Sequence, residues 1–217
     1  MRSLREPKRL LDEITDTDQE RNIYVHPNPL ARDIFWQRLE LLAAGLKKHV
    51  AGNEKAIDFG GGSGAFLRGL CALFAQVEVI DLDPQDAVRL ANHHGIENCR
   101  IHLGDISAWR PDAPVDVVVA TDVLEHFAIL DVPIQIIKSY LKPGGLLAIS
   151  VPTENWLYRL GRIIVKKTRP ADHFHAGEDI LRRLVRDGFQ IVWKSHAPRY
   201  AGVGIPLFRL AILRKTA

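Results

Sequence analysis

The run Ala56-Ile57-Asp58-Phe59-Gly60-Gly61-Gly62-Ser63-Gly64 places a carboxylate two residues ahead of a cluster of glycines. Glycines let a backbone come close to a ligand, and a helix that opens just after them offers unpaired amides. The acid at position 58 attracts a positively charged ligand group and repels a pyrophosphate. Twenty-one residues past Gly60, Asp81 closes the apolar run Val77-Glu78-Val79-Ile80, where a strand-end carboxylate can accept two hydroxyl hydrogen bonds from a ribose diol. Asp83 is its neighbouring alternative. The spacing Gly60-x-Gly62-x-x-Ala65 also satisfies the dinucleotide fingerprint, so the loop alone leaves a nicotinamide-dependent oxidoreductase open. Two further carboxylates close apolar runs. Asp105, in His102-Leu103-Gly104-Asp105-Ile106, is set to accept from an adenine amino group, and Asp122 opens the stretch Asp122-Val123-Leu124-Glu125-His126-Phe127.

These residues need a scaffold that brings them to one edge. Short apolar runs alternate with amphipathic segments from residue 55 onward, the pattern of βα units and a mostly parallel sheet. Strands are expected at 55–59, 77–81, 100–103, 115–120, 145–151, 189–195 and 207–214, making a seven-stranded, doubly wound α/β sheet with helices on both faces. Helices are expected at 64–74, 86–94, 131–141 and 178–187, with Gly95, Gly144 and Gly188 near their ends. Asn28 followed by Pro29 reads as an N-cap and first helical position, opening a covering helix to about His49 with Leu30, Ile34, Leu41, Leu42 and Leu46 on its apolar side. Residues 1–27 are polar, show no firm period and are expected to form a loosely packed arm. The chain reads as one domain over 1–217. Its parts are an arm and covering helix (1–50), a cofactor-binding core (55–151), a basic acceptor lid (152–177), and a C-terminal helix with strands (178–217).

Composition narrows the function classes. With 217 residues and 47% hydrophobic content, the chain can close one sizeable core. A net charge of +3 is too small to imply a nucleic-acid surface without a concentrated basic stripe. Cys71 and Cys99 stand apart with no ligand-like spacing, so neither a disulfide framework nor a metal site is expected, and a reducing cytoplasm fits. The opening residues carry charges throughout and lack an apolar core of signal-peptide length.

Taken together, the Asp58 glycine loop, the acid after the second strand and the Asp122-Val123-Leu124-Glu125-His126 stretch resemble the class I S-adenosylmethionine-dependent methyltransferases, particularly their small-molecule branch. The likeness is close over about 55–151. It extends more loosely through Leu141-Lys142-Pro143-Gly144-Gly145 and Asp187-Gly188-Phe189. It implies a Rossmann-like fold, S-adenosylmethionine as cofactor, and Asp58, Gly60, Gly62, Gly64, Asp81, Asp105, Ile106 and Asp122 as cofactor-site residues. Gly61 stands where many relatives have cysteine or another small residue, and no consequence is expected from it. The family's chemistry is mainly positioning, with a base where the nucleophile must lose a proton. His126, His173 and His175 are the candidates for base or substrate positioner; each also reads as an ordinary helix or loop residue. The acceptor is expected to be a small molecule or a lipid-linked one, and a noncatalytic cofactor-binding protein stays open beside the enzyme.

Within 152–177, Trp156, Leu160, Ile163, Ile164 and Lys167 fall on one side of a helical wheel, with Arg159, Arg162, Lys166 and Arg169 largely on another. Such a basic amphipathic helix would rest on an anionic membrane surface, cover a hydrophobic acceptor, or pack on its own domain.

Overall fold

The computed structural model describes residues 4–14, 23–153, 174–200 and 206–216. The expected lid helix and His173 lie outside them. In chain order the elements are α1 (Lys8–Ile14), α2 (Pro29–Leu46), β1 (Lys55–Phe59), α3 (Leu67–Leu73), β2 (Gln76–Asp81), α4 (Gln85–His94), β3 (Cys99–Leu103) and β4 (Val115–Thr121). A 3-10 turn (Leu124–His126), α5 (Asp131–Tyr140), β5 (Leu141–Pro152), α6 (Gly177–Arg186), β6 (Phe189–Ala197) and β7 (Phe208–Lys215) follow.

The seven strands form one sheet in the order β3-β2-β1-β4-β5-β7-β6. β1 to β5 pair in parallel, and β7 runs antiparallel to both neighbours. Successive residues of β4 alternate between two cores. Val117 and Val119 join the helices of the N-terminal half, including Leu39 and Leu42 of α2 and Leu67 and Leu70 of α3. Val118 and Ala120 join α5 and α6 through Ile134, Ile137, Ile180 and Leu184. A strand covered on both faces is apolar where both faces are covered, which is why the middle of β4 reads as the unbroken run Val117-Val118-Val119-Ala120.

Local signals set most boundaries. The Asn28 side chain accepts from the amides of Leu30 and Ala31 at 2.9 and 3.3 Å, satisfying two of the donors a helix start leaves unpaired. At its other end α2 stops at Leu46 rather than His49, because the chain tightens into i→i+3 bonds from Lys48 to Gly45 and His49 to Leu46. The apolar stripe is centred on Trp36, Leu39, Leu42 and Leu46, and Leu30, placed on it by the sequence reading, is 57% exposed. α3 starts at Leu67 instead of 64, since Gly62 and Gly64 are held at φ +48° and +71°, outside the helical region.

The N-terminal arm departs from expectation. Leu4, Leu11, Ile23, Tyr24 and Val25 are buried. The buried Glu6 carboxylate meets Arg68 of α3 at 2.9 Å and His94 of α4 at 3.1 Å, and Arg5 binds Glu40 of α2 at 2.9 Å. Arg89 of α4 donates to the Ile14 carbonyl at 3.0 Å. These are long-range pairs, which a seven-residue helix with no period of its own does not announce.

Candidate active site

Strand order reverses between β1 and β4, and side chains at the carboxyl edge of a parallel sheet converge at such a point. Asp58, Gly60, Gly62, Gly64, Asp81, Asp105, Ile106 and Asp122 all lie at or just beyond this edge, on β1, β2, β3, β4 and the turns that leave them.

Asp58 sits inside β1, paired in register with Val79 on one side and Val119 on the other. It is 1% exposed, and its Oδ1 has no hydrogen-bond partner among the described residues. Burial, with the charge of Asp81 adding to it, pushes its carboxyl up to about 7. The next turn is built around this carboxylate. A Cβ on Gly61 would lie 2.5 Å from Val79 Cγ1 and 2.9 Å from Asp58 Oδ2, so even alanine there would displace the acid. Gly61 therefore has a structural job that the sequence reading did not assign it.

Gly62 differs from its neighbours. At φ +48° it holds a conformation L side chains rarely adopt, and a Cβ there would meet nothing nearer than Asp81 Oδ2 at 3.9 Å. Its missing side chain thus opens space at the surface of the loop. Asp81 Oδ2 accepts from the Gly62 amide at 2.8 Å, and Oδ1 accepts from the Asp83 amide at 2.9 Å. The carboxylate expected to bind a diol also ties β2 to the glycine loop, and each oxygen keeps a further acceptor lone pair. Beside it Leu82 is 71% exposed, and Leu103 at the end of β3 is 75% exposed.

Asp105 accepts from the Ser107 amide at 2.8 Å, a bond that holds its carboxyl below the usual range. The Ile106 carbonyl accepts from the Tyr140 hydroxyl at 3.1 Å, anchoring that turn to α5. Asp122 follows β4 with φ +56°, a left-handed conformation costing a non-glycine residue roughly 1 kcal/mol. Its amide donates to the Ser150 carbonyl at 2.9 Å, and its Oδ2 meets Arg38 at 2.7 Å.

Arg38, Tyr24 and Ser150 group beside Asp122, with the charge of buried Glu125 acting on Arg38, and the sequence reading gave none of them a role. Arg38 lies four residues after Ile34 and four before Leu42, so a charge on the apolar stripe of α2 was the available signal. Glu125 stands inside the Asp122 to His126 stretch that carries the family likeness, but a 3-10 turn gives no period by which to read its complete burial.

Of the three histidines, His126 is exposed on the 3-10 turn. His175 is half-buried just before α6, its Nε2 3.3 Å from the Ala128 carbonyl. Two of the three therefore lie on segments that touch, and the Phe174 amide donating to the Glu125 carbonyl at 2.8 Å ties them further. Among the described residues no group of His, Cys, Asp or Glu could hold a metal ion.

A glycine loop at a sheet switch point, backed by a buried carboxylate and flanked by strand-end acids, defines a class I S-adenosylmethionine-dependent methyltransferase. The chain belongs to the methyltransferase-domain family, whose model matches residues 26–207. It is 32% identical over 129 residues to a ubiquinone biosynthesis O-methyltransferase of Xanthomonas euvesicatoria, covering 57% of this chain and 49% of that protein. It is 29% identical over 103 residues to a trans-aconitate 2-methyltransferase of Klebsiella pneumoniae, covering 48% and 40%. The chain thus spans about half the length of these relatives or less. In three dimensions it resembles the N-methyltransferase NodS of Bradyrhizobium japonicum in complex with S-adenosylhomocysteine. The TM-score is 0.70 at 19% identity, over 97% of this chain and 98% of that one. The 1,6-didemethyltoxoflavin-N1-methyltransferase of Burkholderia thailandensis superposes with a TM-score of 0.64 at 18% identity, over 98% and 92%. The family model marks a methyltransferase domain, so S-adenosylmethionine rather than a nicotinamide dinucleotide is the cofactor such a domain takes. The residues present fit it, because Asp58 is a buried acid whose Oδ1 has no hydrogen-bond partner among the described residues, and Gly62 leaves the approach open.

Proposed function

We propose that this methyltransferase acts on a small organic acceptor, in its most apolar form a lipid-linked one. The site assignments rest above all on Asp58, a buried carboxylate beside a glycine loop with one oxygen unpartnered among the described residues. Taking a charge out of water is costly unless a partner compensates it, and the cationic amino group of the cofactor is that partner. Asp81 then accepts from the ribose diol, Asp105 and Ile106 flank the adenine, and Gly60, Gly62 and Gly64 let the backbone approach. Asp122 faces the methionine half.

When bound, the sulfonium supplies an already activated methyl group. The chain has to hold the acceptor in line with it, exclude water and take up a proton where the nucleophile carries one. His126, His173 and His175 are proposed for that last task. Ile129, Val132 and Phe174, near His126 and His175 along the chain, are exposed apolar side chains and suit an acceptor with an apolar portion. The curated relatives support a small molecule, one being named for trans-aconitate and the other for ubiquinone biosynthesis. Among the described residues no helix is long and apolar enough to cross a membrane.

The test is a metabolite-extract screen with methyl-labelled S-adenosylmethionine, comparing the protein with its Asp58→Asn variant. Label is expected in one low-molecular-weight or lipid-extractable product and lost in the variant. Label carried only by macromolecules would overturn the acceptor reading.

A further inference from the structure

Arg38 is an expensive residue for its place. Its side chain is 4% exposed, its guanidinium lies 4.9 and 5.1 Å from the ring centres of Phe35 and Phe208, and replacing such buried charges by apolar residues is often neutral or stabilising. Stability alone does not account for it.

The guanidinium joins four separate segments. It donates to the Tyr24 hydroxyl at 3.0 Å and to Ser150 Oγ of β5 at 3.0 Å, and it meets Asp122 Oδ2 at 2.7 Å, all from its position on α2. A planar fork of donors suits this better than a lysine ammonium, since it fixes direction as well as charge. Burial is the largest influence and works against its charge, yet Asp122, Tyr24 and Glu125 together outweigh it, and its pKa stays raised. The aspartate it holds is in a left-handed turn, and the residue after it abuts the glycine loop, because a Cβ on Gly60 would come within 2.5 Å of Val123 Cγ2. Asp122 itself keeps 24% of its side chain exposed.

We propose that Arg38 is a positioning residue of the methyl-transfer chamber, locking Asp122 in one orientation against the glycine loop so that the cofactor meets a preset carboxylate. This rests on the reading of Asp122 as a cofactor contact. Ser150 and Tyr24 serve the same end one step further out, by holding the guanidinium in plane.

The experiment is a double-mutant cycle read by titration calorimetry with S-adenosylhomocysteine, with circular dichroism confirming that each variant is folded. Arg38→Met and Asp122→Asn are each expected to weaken binding at least tenfold, with Arg38→Lys between wild type and Arg38→Met. Because Arg38 acts through Asp122, the double variant Arg38→Met/Asp122→Asn should bind no more weakly than the worse single one. A merely structural arginine would lower the unfolding temperature without this coupling. If Arg38→Met does not fold, the cycle is closed with Arg38→Lys. Losses that multiply, or a folded Arg38→Lys that binds like wild type, would overturn the proposal while leaving Asp122 in its role. An Asp122→Asn variant with unchanged affinity would remove that role, and the proposal with it.

Discussion

At the scale of single residues, Asp58 carries the strongest physical signature. Its carboxyl is pushed to about 7 from 3.8, so between those values the folded protein holds a proton that the unfolded chain releases. Stability from this group is therefore full below about 4 and is lost as pH rises to 7, a change on the order of 4 kcal/mol for the cofactor-free protein. Ligand binding has the opposite sign, since the cationic amino group favours the charged carboxylate. Affinity for S-adenosylhomocysteine should rise with pH up to about 7 and then level off, with a proton released on binding below that value. Asp58→Asn should flatten both profiles, raise the melting temperature of the cofactor-free protein at pH 8 and weaken the ligand. Calorimetry in buffers of different ionisation enthalpy measures the proton directly. An affinity independent of pH from 5.5 to 8.5 would sink this account of Asp58.

At the scale of elements, the turn between β1 and α3 separates conformation from ligand space. Gly62 and Gly95 are both left-handed, at φ +48° and +59°, and an added Cβ has room at both. Replacing either by alanine should cost a similar ~1 kcal/mol of stability by strain alone. Only Gly62→Ala, in the loop that faces the ligand, should weaken S-adenosylhomocysteine, because Gly95 caps α4 away from the site. Urea unfolding and ligand titration on the two variants make the comparison. Equal affinities would reduce the glycine loop to a turn. Much at this scale was legible in the chain itself. The strands expected at 55–59 and 115–120, the Asn28-Pro29 helix start and Gly95 lie where the sequence pattern places them, the second of these strands running one residue further to Thr121, because strands buried on both faces and capped helices leave local marks.

At the scale of the whole molecule, the arm that reads as loose is part of the fold. Glu6, 3% exposed, faces Arg68 and His94, and removing it would strand two polar partners against buried surface. Glu6→Ala should lower stability by about 1–3 kcal/mol, the range for losing hydrogen bonds to a charged group. Thermal unfolding with one shared transition would check it, and an unchanged midpoint would return the arm to the surface. The sequence by itself determined the seven strands, the order of their intervening helices and the local motif around Asp58, since each is written in residues that are chain neighbours. Only the tertiary structure decided that Gly61 must lack a side chain beneath Asp58, that Glu125 is buried, and that Arg38 reaches Ser150 across 112 positions of chain. Hydrophobic periodicity reports which face of an element turns inward, but it carries no term for which distant side chain will be waiting there.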